Sequence, residues 1–277
     1  MRPLRASLAQ DVAALIALVG AEAVMPRFRC LAADEIDEKT PGDLVTVADR
    51  EAELRLTAGL AALAPGARVI GEEAVAANPR LMDGIGTGEV WIIDPIDGTG
   101  NFAAGEGPFA MMVARLIDGE TVGGWIHHPA DGRMIVAERG AGVTGLDRDA
   151  REPERPALAG IVSRLERPAA AEGAIAALAA RWGAPRPSRR CAGAEYPLIA
   201  AGTLDYAVYW RTLVWDHAAG ALILEEAGGI ARRLDGSPFR AAGPGAGVLL
   251  ARDAGVAADI APFFAPGLLT PHAARAA

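Results

Sequence analysis

The feature that most constrains this chain is the run from Val90 to Phe102, where an apolar strand, Val90-Trp91-Ile92-Ile93, ends in Asp94-Pro95-Ile96-Asp97-Gly98-Thr99. Pro95 fixes its own φ and biases Asp94 toward extended backbone, so two carboxylates three residues apart have little freedom to separate. Gly98 lets the chain turn sharply, and the amides of Gly98 and Thr99 are then free to face an anion. A grip for a hard metal ion and a contact for phosphate therefore meet within a few residues. Alone, such a motif reads as an acidic turn closing a strand. Three other segments change that reading: Asp43-Leu44-Val45-Thr46-Val47-Ala48-Asp49, Ile70-Gly71-Glu72-Glu73, and Trp215-Asp216-His217-Ala218-Ala219-Gly220 followed by Glu225-Glu226-Ala227-Gly228-Gly229.

With 277 residues, 51% of them hydrophobic, the chain has enough material for one large domain or two closely packed subdomains with a substantial core. A net charge of −8 argues against a general nucleic-acid surface and against electrostatic docking on anionic lipid, so neither nucleic acid nor membrane is expected as a partner. Cys30 and Cys191 are too few for a disulfide framework and lack metal-ligand spacing, which reads as buried or idle thiols. No basic region followed by an apolar core and cleavage site opens the chain, and the apolar run from Val12 to Met25 is interrupted by Glu22. The expected location is the cytoplasm. Among 27 basic residues only Lys39 is lysine, and it falls just before Pro41-Gly42-Asp43.

Apolar spacing predicts helices over Ser7 to Met25 and Thr46 to Leu63. Strands are predicted at Val69-Ile70, Val90 to Ile93, Phe109 to Leu116, Val122 to Ile126 and Met134 to Ala137, with Asp118-Gly119 as a hairpin turn. This half, residues 1–155, reads as helices layered on an antiparallel sheet. The charged, proline-bearing stretch from Asp147 to Pro156 marks a subdomain boundary. Residues 156–277 alternate strands near Gly160 to Ser163, Asp205 to Tyr209, Gly229 to Arg232 and Gly247 to Ala251 with helices near Ala169 to Trp182, Ala194 to Ala201, Trp215 to Ala227 and Asp253 to Phe264. That alternation suggests an α/β half.

The four motif segments, in this order and spacing, resemble the inositol monophosphatase family of metal-dependent, lithium-sensitive phosphatases, from about Lys39 to Gly229. The resemblance implies an α/β fold, a layered α/β/α/β/α sandwich, and a homodimer. It also implies a Mg²⁺-dependent phosphomonoesterase using two or three ions, which offset the substrate's charge, supply the nucleophile and stabilise the leaving oxygen. Glu72, Asp94 and the Ile96 carbonyl would hold the first ion, and Asp94, Asp97 and Asp216 the second. Thr99 would orient the attacking water while Asp49 accepts a hydrogen bond from its hydroxyl, and the Gly98 and Thr99 amides would hold phosphate oxygens. Lys39 would lie near the metal site and contribute to binding the phosphorylated substrate. Glu73 would sit in an outer shell, at a third ion or on the surface. His127, His128 and His217 lack useful ligand spacing and read as structural or surface residues.

On the substrate side the match breaks. Seven residues before Asp216, where inositol-specific relatives usually carry a hydroxyl-binding glutamate, stands Tyr209, followed by Trp210 and Arg211. Gly193 and Glu195, in Arg190-Cys191-Ala192-Gly193-Ala194-Glu195-Tyr196, match the family's other substrate loop, where Glu195 would reach a polyol or an amine or cap a helix. Gly193, Glu195, Tyr209 and Arg211 are therefore expected at a small phosphorylated metabolite. Inositol 1-phosphate is the default; histidinol phosphate, fructose 1,6-bisphosphate and a 3′-phosphoadenosine nucleotide are alternatives. A reading of another class is a regulatory interaction protein on a phosphatase fold.

Overall fold

A computed structural model of the protein describes residues 6–147, 157–243, 245 and 247–264. The two N-terminal helices form as predicted, α1 at Ala6–Val19 and α2 at Val47–Leu63. After α1 the chain continues through a π turn at Gly20–Val24 and a 3-10 turn at Met25–Arg27, so the expected single helix is helical throughout but not uniform. The stretch Leu8–Arg27 is apolar and long enough to cross a membrane by length and composition. Its inner side, Val12, Ile16 and Val19, packs with Leu56, Leu60 and Trp125, and Trp125 Nε1 donates to the Ala9 carbonyl at 3.1 Å. A short hairpin, β1 (Ile36–Thr40) and β2 (Asp43–Thr46), leads into α2 and was not apparent from sequence periodicity.

The larger sheet has six strands in sequence order: β3 (Arg68–Gly71), β4 (Glu89–Asp97), β5 (Ala110–Ile117), β6 (Glu120–His128), β7 (Arg133–Glu138) and β8 (Gly142–Thr144). It is not wholly antiparallel as expected. β3 and β4 are parallel, because α3 (Glu72–Ala77) and the turns after it form the crossover that a parallel pair requires. The β5–β6 turn at Asp118-Gly119 has φ values of 49° and 79°, the two left-handed residues of a type I′ hairpin. A five-residue helix, α4 (Thr99–Ala103), follows β4 directly. The smaller sheet comprises β9 (Gly160–Val162), β10 (Tyr206–Tyr209), β11 (Ile230–Arg233) and β12 (Val248–Ala251), in the order β11-β12-β10-β9. Helices α5 (Ala171–Trp182), α6 (Ala192–Ala200), α7 (Val214–Glu226) and α8 (Ala254–Ile260) complete this part.

Strand alternation assembles the layers. Along β4, Trp91 and Ile93 join the core of α1 and α2, while Val90 and Ile92 join a second core with α6 and α7. Along β10, Ala207 and Tyr209 enter that same second core, whereas Tyr206 and Val208 face α5 and α8. The order is therefore helices, six-stranded sheet, α6 and α7, four-stranded sheet, α5 and α8, the α/β/α/β/α layering expected. Apart from Asp147, the expected boundary at Asp147–Pro156 lies outside the described residues.

Candidate active site

The site begins with a flaw in β4. Asp94 pairs with Met112 of β5 and Asp97 pairs with Ala110, so three steps on one strand oppose two on the other. In a regular strand, residues three apart point to opposite faces; one extra residue returns Asp97 to the side of Asp94. Asp94 is 1% exposed, and its Oδ1 has no hydrogen-bond partner among the described residues. Asp97 Oδ2 accepts from the Gly193 amide at 2.6 Å.

Gly98 follows with φ +86°, and a Cβ there would lie 3.0 Å from the Pro108 carbonyl oxygen and 3.2 Å from Cys191 Cβ. Left-handed backbone and close packing both exclude a side chain at this position. Thr99 Oγ1 lies 2.8 Å from the Ile96 carbonyl oxygen and 3.2 Å from Asp49 Oδ1. The hydroxyl has one proton for two acceptors, so one contact is a donation and the other depends on hydroxyl rotation. Asp49 is fixed independently: its Oδ2 accepts from the Thr46 amide at 2.8 Å and the Thr46 hydroxyl at 2.6 Å, in the capping box of α2. Burial raises Asp49 to about 6, against the pull of these hydrogen bonds.

Glu72 and Glu73 open α3. Lys39 Nζ bridges them at 2.7 and 3.0 Å. Burial opposes the Lys39 charge, but the two carboxylates hold its pKa well above the usual range. Beneath them lies Glu53, a residue not singled out by the sequence reading. Its carboxylate accepts from the amides of Glu73 and Ala74, both at 2.8 Å, and so caps the helix that carries Glu72. Gly71 makes room for it, since a Cβ at 71 would fall 2.1 Å from Glu53 Cδ. The overlooked signal was spacing: Glu53 follows Asp49 by one helical turn, so two acids stand on the face that also buries Ala52, Leu56 and Leu60.

Asp216 enters from the far side in the first turn of α7, where the helix dipole favours negative charge. Burial raises Asp216 well above its ordinary value, with Asp97 and Glu72 adding repulsion and Arg211 opposing it. Asp94 is raised by burial, then by Glu72, Asp97 and Asp216; Asp97 is pushed to about 7, chiefly by burial. Four acids from three parts of the chain thus lie within electrostatic reach of one another. Among the described residues, no three of them close into a compact ligand cage. Mg²⁺ does not require one, since it binds a few carboxylates and keeps several waters. All-oxygen donors, mutual repulsion and the partnerless Asp94 Oδ1 fit such a cation.

The expected substrate residues are arranged differently. Glu195 is fully buried; Oε1 accepts from Ser188 Oγ at 2.9 Å and the Arg189 amide at 2.5 Å, and Oε2 accepts from the Tyr209 hydroxyl. Glu195 and Tyr209 therefore satisfy each other inside the protein. Gly193 has its amide committed to Asp97. The Arg211 side chain lies within electrostatic reach of Asp216, with its Nε buried and without a hydrogen-bond partner among the described residues. His217 is buried and held neutral: burial lowers it to about 4. Its Nε2 faces the Arg211 carbonyl at 3.2 Å and must donate, leaving Nδ1 to accept from the Tyr196 hydroxyl at 3.0 Å. His127 and His128 are likewise lowered by burial, and Cys191 is a buried thiol raised by burial; Cys30 is exposed.

Comparison with known proteins agrees with this arrangement. The profile of the inositol monophosphatase family matches residues 7–270. An inositol-1-monophosphatase of Mesorhizobium japonicum is 34% identical over 210 residues, 73% of this chain and 76% of that one. A histidinol-phosphatase of Mycobacterium tuberculosis is 33% identical over 256 residues, 87% of this chain and 92% of that one. Among solved structures, the IMPase of Thermotoga maritima superposes with a TM-score of 0.72 at 27% identity, covering 91% of this chain and 94% of that one. With its acids, turn and layering placed as described, the chain belongs to the inositol monophosphatase family and is a phosphoric monoester hydrolase.

Proposed function

We propose that this hydrolase is a Mg²⁺-dependent, lithium-sensitive phosphatase of a small phosphorylated metabolite, with inositol 1-phosphate as its first candidate substrate. Cytoplasmic location and a homodimer belong to the same reading and rest on composition and family resemblance. The observation that carries the proposal is Asp94, a buried carboxylate with a partnerless oxygen among three other acids. Glu72, Asp94 and the Ile96 carbonyl would hold one Mg²⁺, and Asp94, Asp97 and Asp216 another. Bound Mg²⁺ would offset phosphate charge and make water a competent nucleophile at neutral pH.

The chain's own groups do the positioning. Thr99, placed between Ile96 and Asp49, orients the attacking water through its hydroxyl, and Asp49 is the acceptor that fixes that hydroxyl. The Gly98 and Thr99 amides hold phosphate oxygens, and Lys39 keeps Glu72 and Glu73 in place. Histidinol phosphate is the second reading. It is favoured by the likeness to the histidinol-phosphatase of Mycobacterium tuberculosis, which extends over 87% of this chain, and by Tyr209 standing where a hydroxyl-binding glutamate is expected.

The test is phosphate release from inositol 1-phosphate, histidinol phosphate, fructose 1,6-bisphosphate and 3′-phosphoadenosine 5′-phosphate, each with Mg²⁺, with EDTA and with Li⁺. Turnover of one substrate that EDTA abolishes is expected; turnover that survives EDTA would overturn the metal assignment.

A further inference from the structure

We propose that Glu195 is a positioning residue for Asp97, acting through the start of α6 and the loop Ser188–Cys191. The inference rests on the phosphatase reading above. Glu195 ties together three pieces of backbone that sequence leaves far apart: the loop through Ser188 Oγ and the Arg189 amide, β10 through the Tyr209 hydroxyl, and its own helix. A carboxylate removed from water persists only when donors replace its hydration, and here three do so. Removing it would leave the buried Tyr209 hydroxyl and two part-buried loop donors without their acceptor and free the loop from β10.

That loop and the helix it enters are what hold Asp97. Gly193, two residues before Glu195, donates its amide to Asp97 Oδ2 at 2.6 Å. The approach is tight: a Cβ on Gly193 would lie 2.7 Å from Ala110 Cβ and 3.3 Å from Asp97 Oδ2. On the other side of Asp97, Cys191 Sγ lies 3.6 Å from its carbonyl oxygen, and the Arg189 carbonyl accepts from Asn101 Nδ2 at 3.0 Å, pinning the loop to α4. The Gly193 amide thus sets the direction of the Asp97 carboxylate from the start of α6, and Glu195 is what anchors α6 to β10 and the loop. The two residues where the sequence departs from the family pattern are thus partners in one clamp.

The test uses full-length Glu195→Ala, Glu195→Gln and Tyr209→Phe, titrated with MgCl₂ by calorimetry alongside phosphate release. Glu195→Ala is expected to weaken Mg²⁺ binding about tenfold and to raise half-saturating Mg²⁺ by the same factor, as loss of groups supporting a metal ligand does. Tyr209→Phe, which removes one donor of three, should give about a threefold shift, with Glu195→Gln between the two. In an Asp97→Asn background Glu195→Ala should add less than about twofold, because the two act through one interaction. The inference is overturned if Glu195→Ala and Tyr209→Phe unfold cooperatively yet bind Mg²⁺ like the parent, or if the shift persists undiminished with Asn at 97. Should Glu195→Ala not fold, Glu195→Gln and Tyr209→Phe decide by the same criteria. A parent protein that neither binds Mg²⁺ nor releases phosphate overturns the proposed function and this inference together; an active parent with indifferent variants overturns this inference alone.

Discussion

Asp94 and Glu195 are both shut off from water, at 1% and 0% exposure, and burial raises the pKa of each, yet their surroundings are opposite. Glu195 has three donors for its two oxygens. Asp94 has an oxygen with none and faces Glu72, Asp97 and Asp216. A buried carboxylate satisfied by its neighbours is part of the scaffold, and its loss is felt as lost stability. One left unsatisfied among like charges weakens the scaffold, so its place in the fold has to be explained by what it binds.

The largest expected effect breaks this symmetry directly. Asp94→Asn should lower Mg²⁺-dependent phosphate release by about 10³-fold or more, roughly 4 kcal/mol in the barrier, while raising the unfolding temperature in EDTA, because it removes a repelled charge. Lower stability in EDTA would show that the Asp94 charge is compensated in a way the structure does not indicate. Next, Asp49→Asn should cost about 10²-fold in kcat, the lower range for a group that organises proton transfer, with substrate KM nearly unchanged. A change confined to KM would remove Asp49 from the water-orienting role. Glu195→Gln should then show the opposite sign to Asp94→Asn in thermal unfolding, a loss of about 2 kcal/mol as charge-assisted hydrogen bonds are weakened. Equal signs for the two substitutions would erase the distinction between them.

How much of this was legible in the sequence differs between the two acids for the same physical reason. Asp94, Asp97, Gly98 and Thr99 sit in one continuous segment, so chemistry and local geometry could be read together. Even there, the bulge that turns Asp97 to the side of Asp94 appears only in the pairing with β5, which no local pattern encodes. Helices α1 and α2 and most strands followed from apolar periodicity; the β1–β2 hairpin did not, because β1 is only shallowly buried and β2 is four residues long. Glu195 and Tyr209 are 14 residues apart on different elements, and each alone resembles a substrate contact. Only the fold shows that they face each other. Glu53 escaped for a similar reason, since its partners are amides at the start of α3.

The smallest expected effect is a pH dependence that separates the crowded acids from the satisfied one. Burial raises Asp49 to about 6 and Glu73 to about 7, the latter with further repulsion from Glu72. Each therefore carries protons in the folded protein at pH values where the unfolded chain, titrating near 4, has released them. With more protons bound in the native state, stability falls as pH rises through the window from about 4 to about 7, by at most about 1.4 kcal/mol per pH unit for each group. Below about 6.5 the buried histidines oppose this trend. His128 and His217, lowered to about 4, stay neutral in the fold while the unfolded chain takes up protons, which removes stability as pH falls. The clean window is thus pH 6.5 to 7.5, where Glu73 and Asp97, each raised to about 7, both contribute. In EDTA, the unfolding temperature should decline across that range. With saturating Mg²⁺ the decline should flatten or reverse, because a cation that favours ionised carboxylates competes with the protons held by these acids. A slope that Mg²⁺ leaves unchanged would mean that the crowded acids are not where the cation binds.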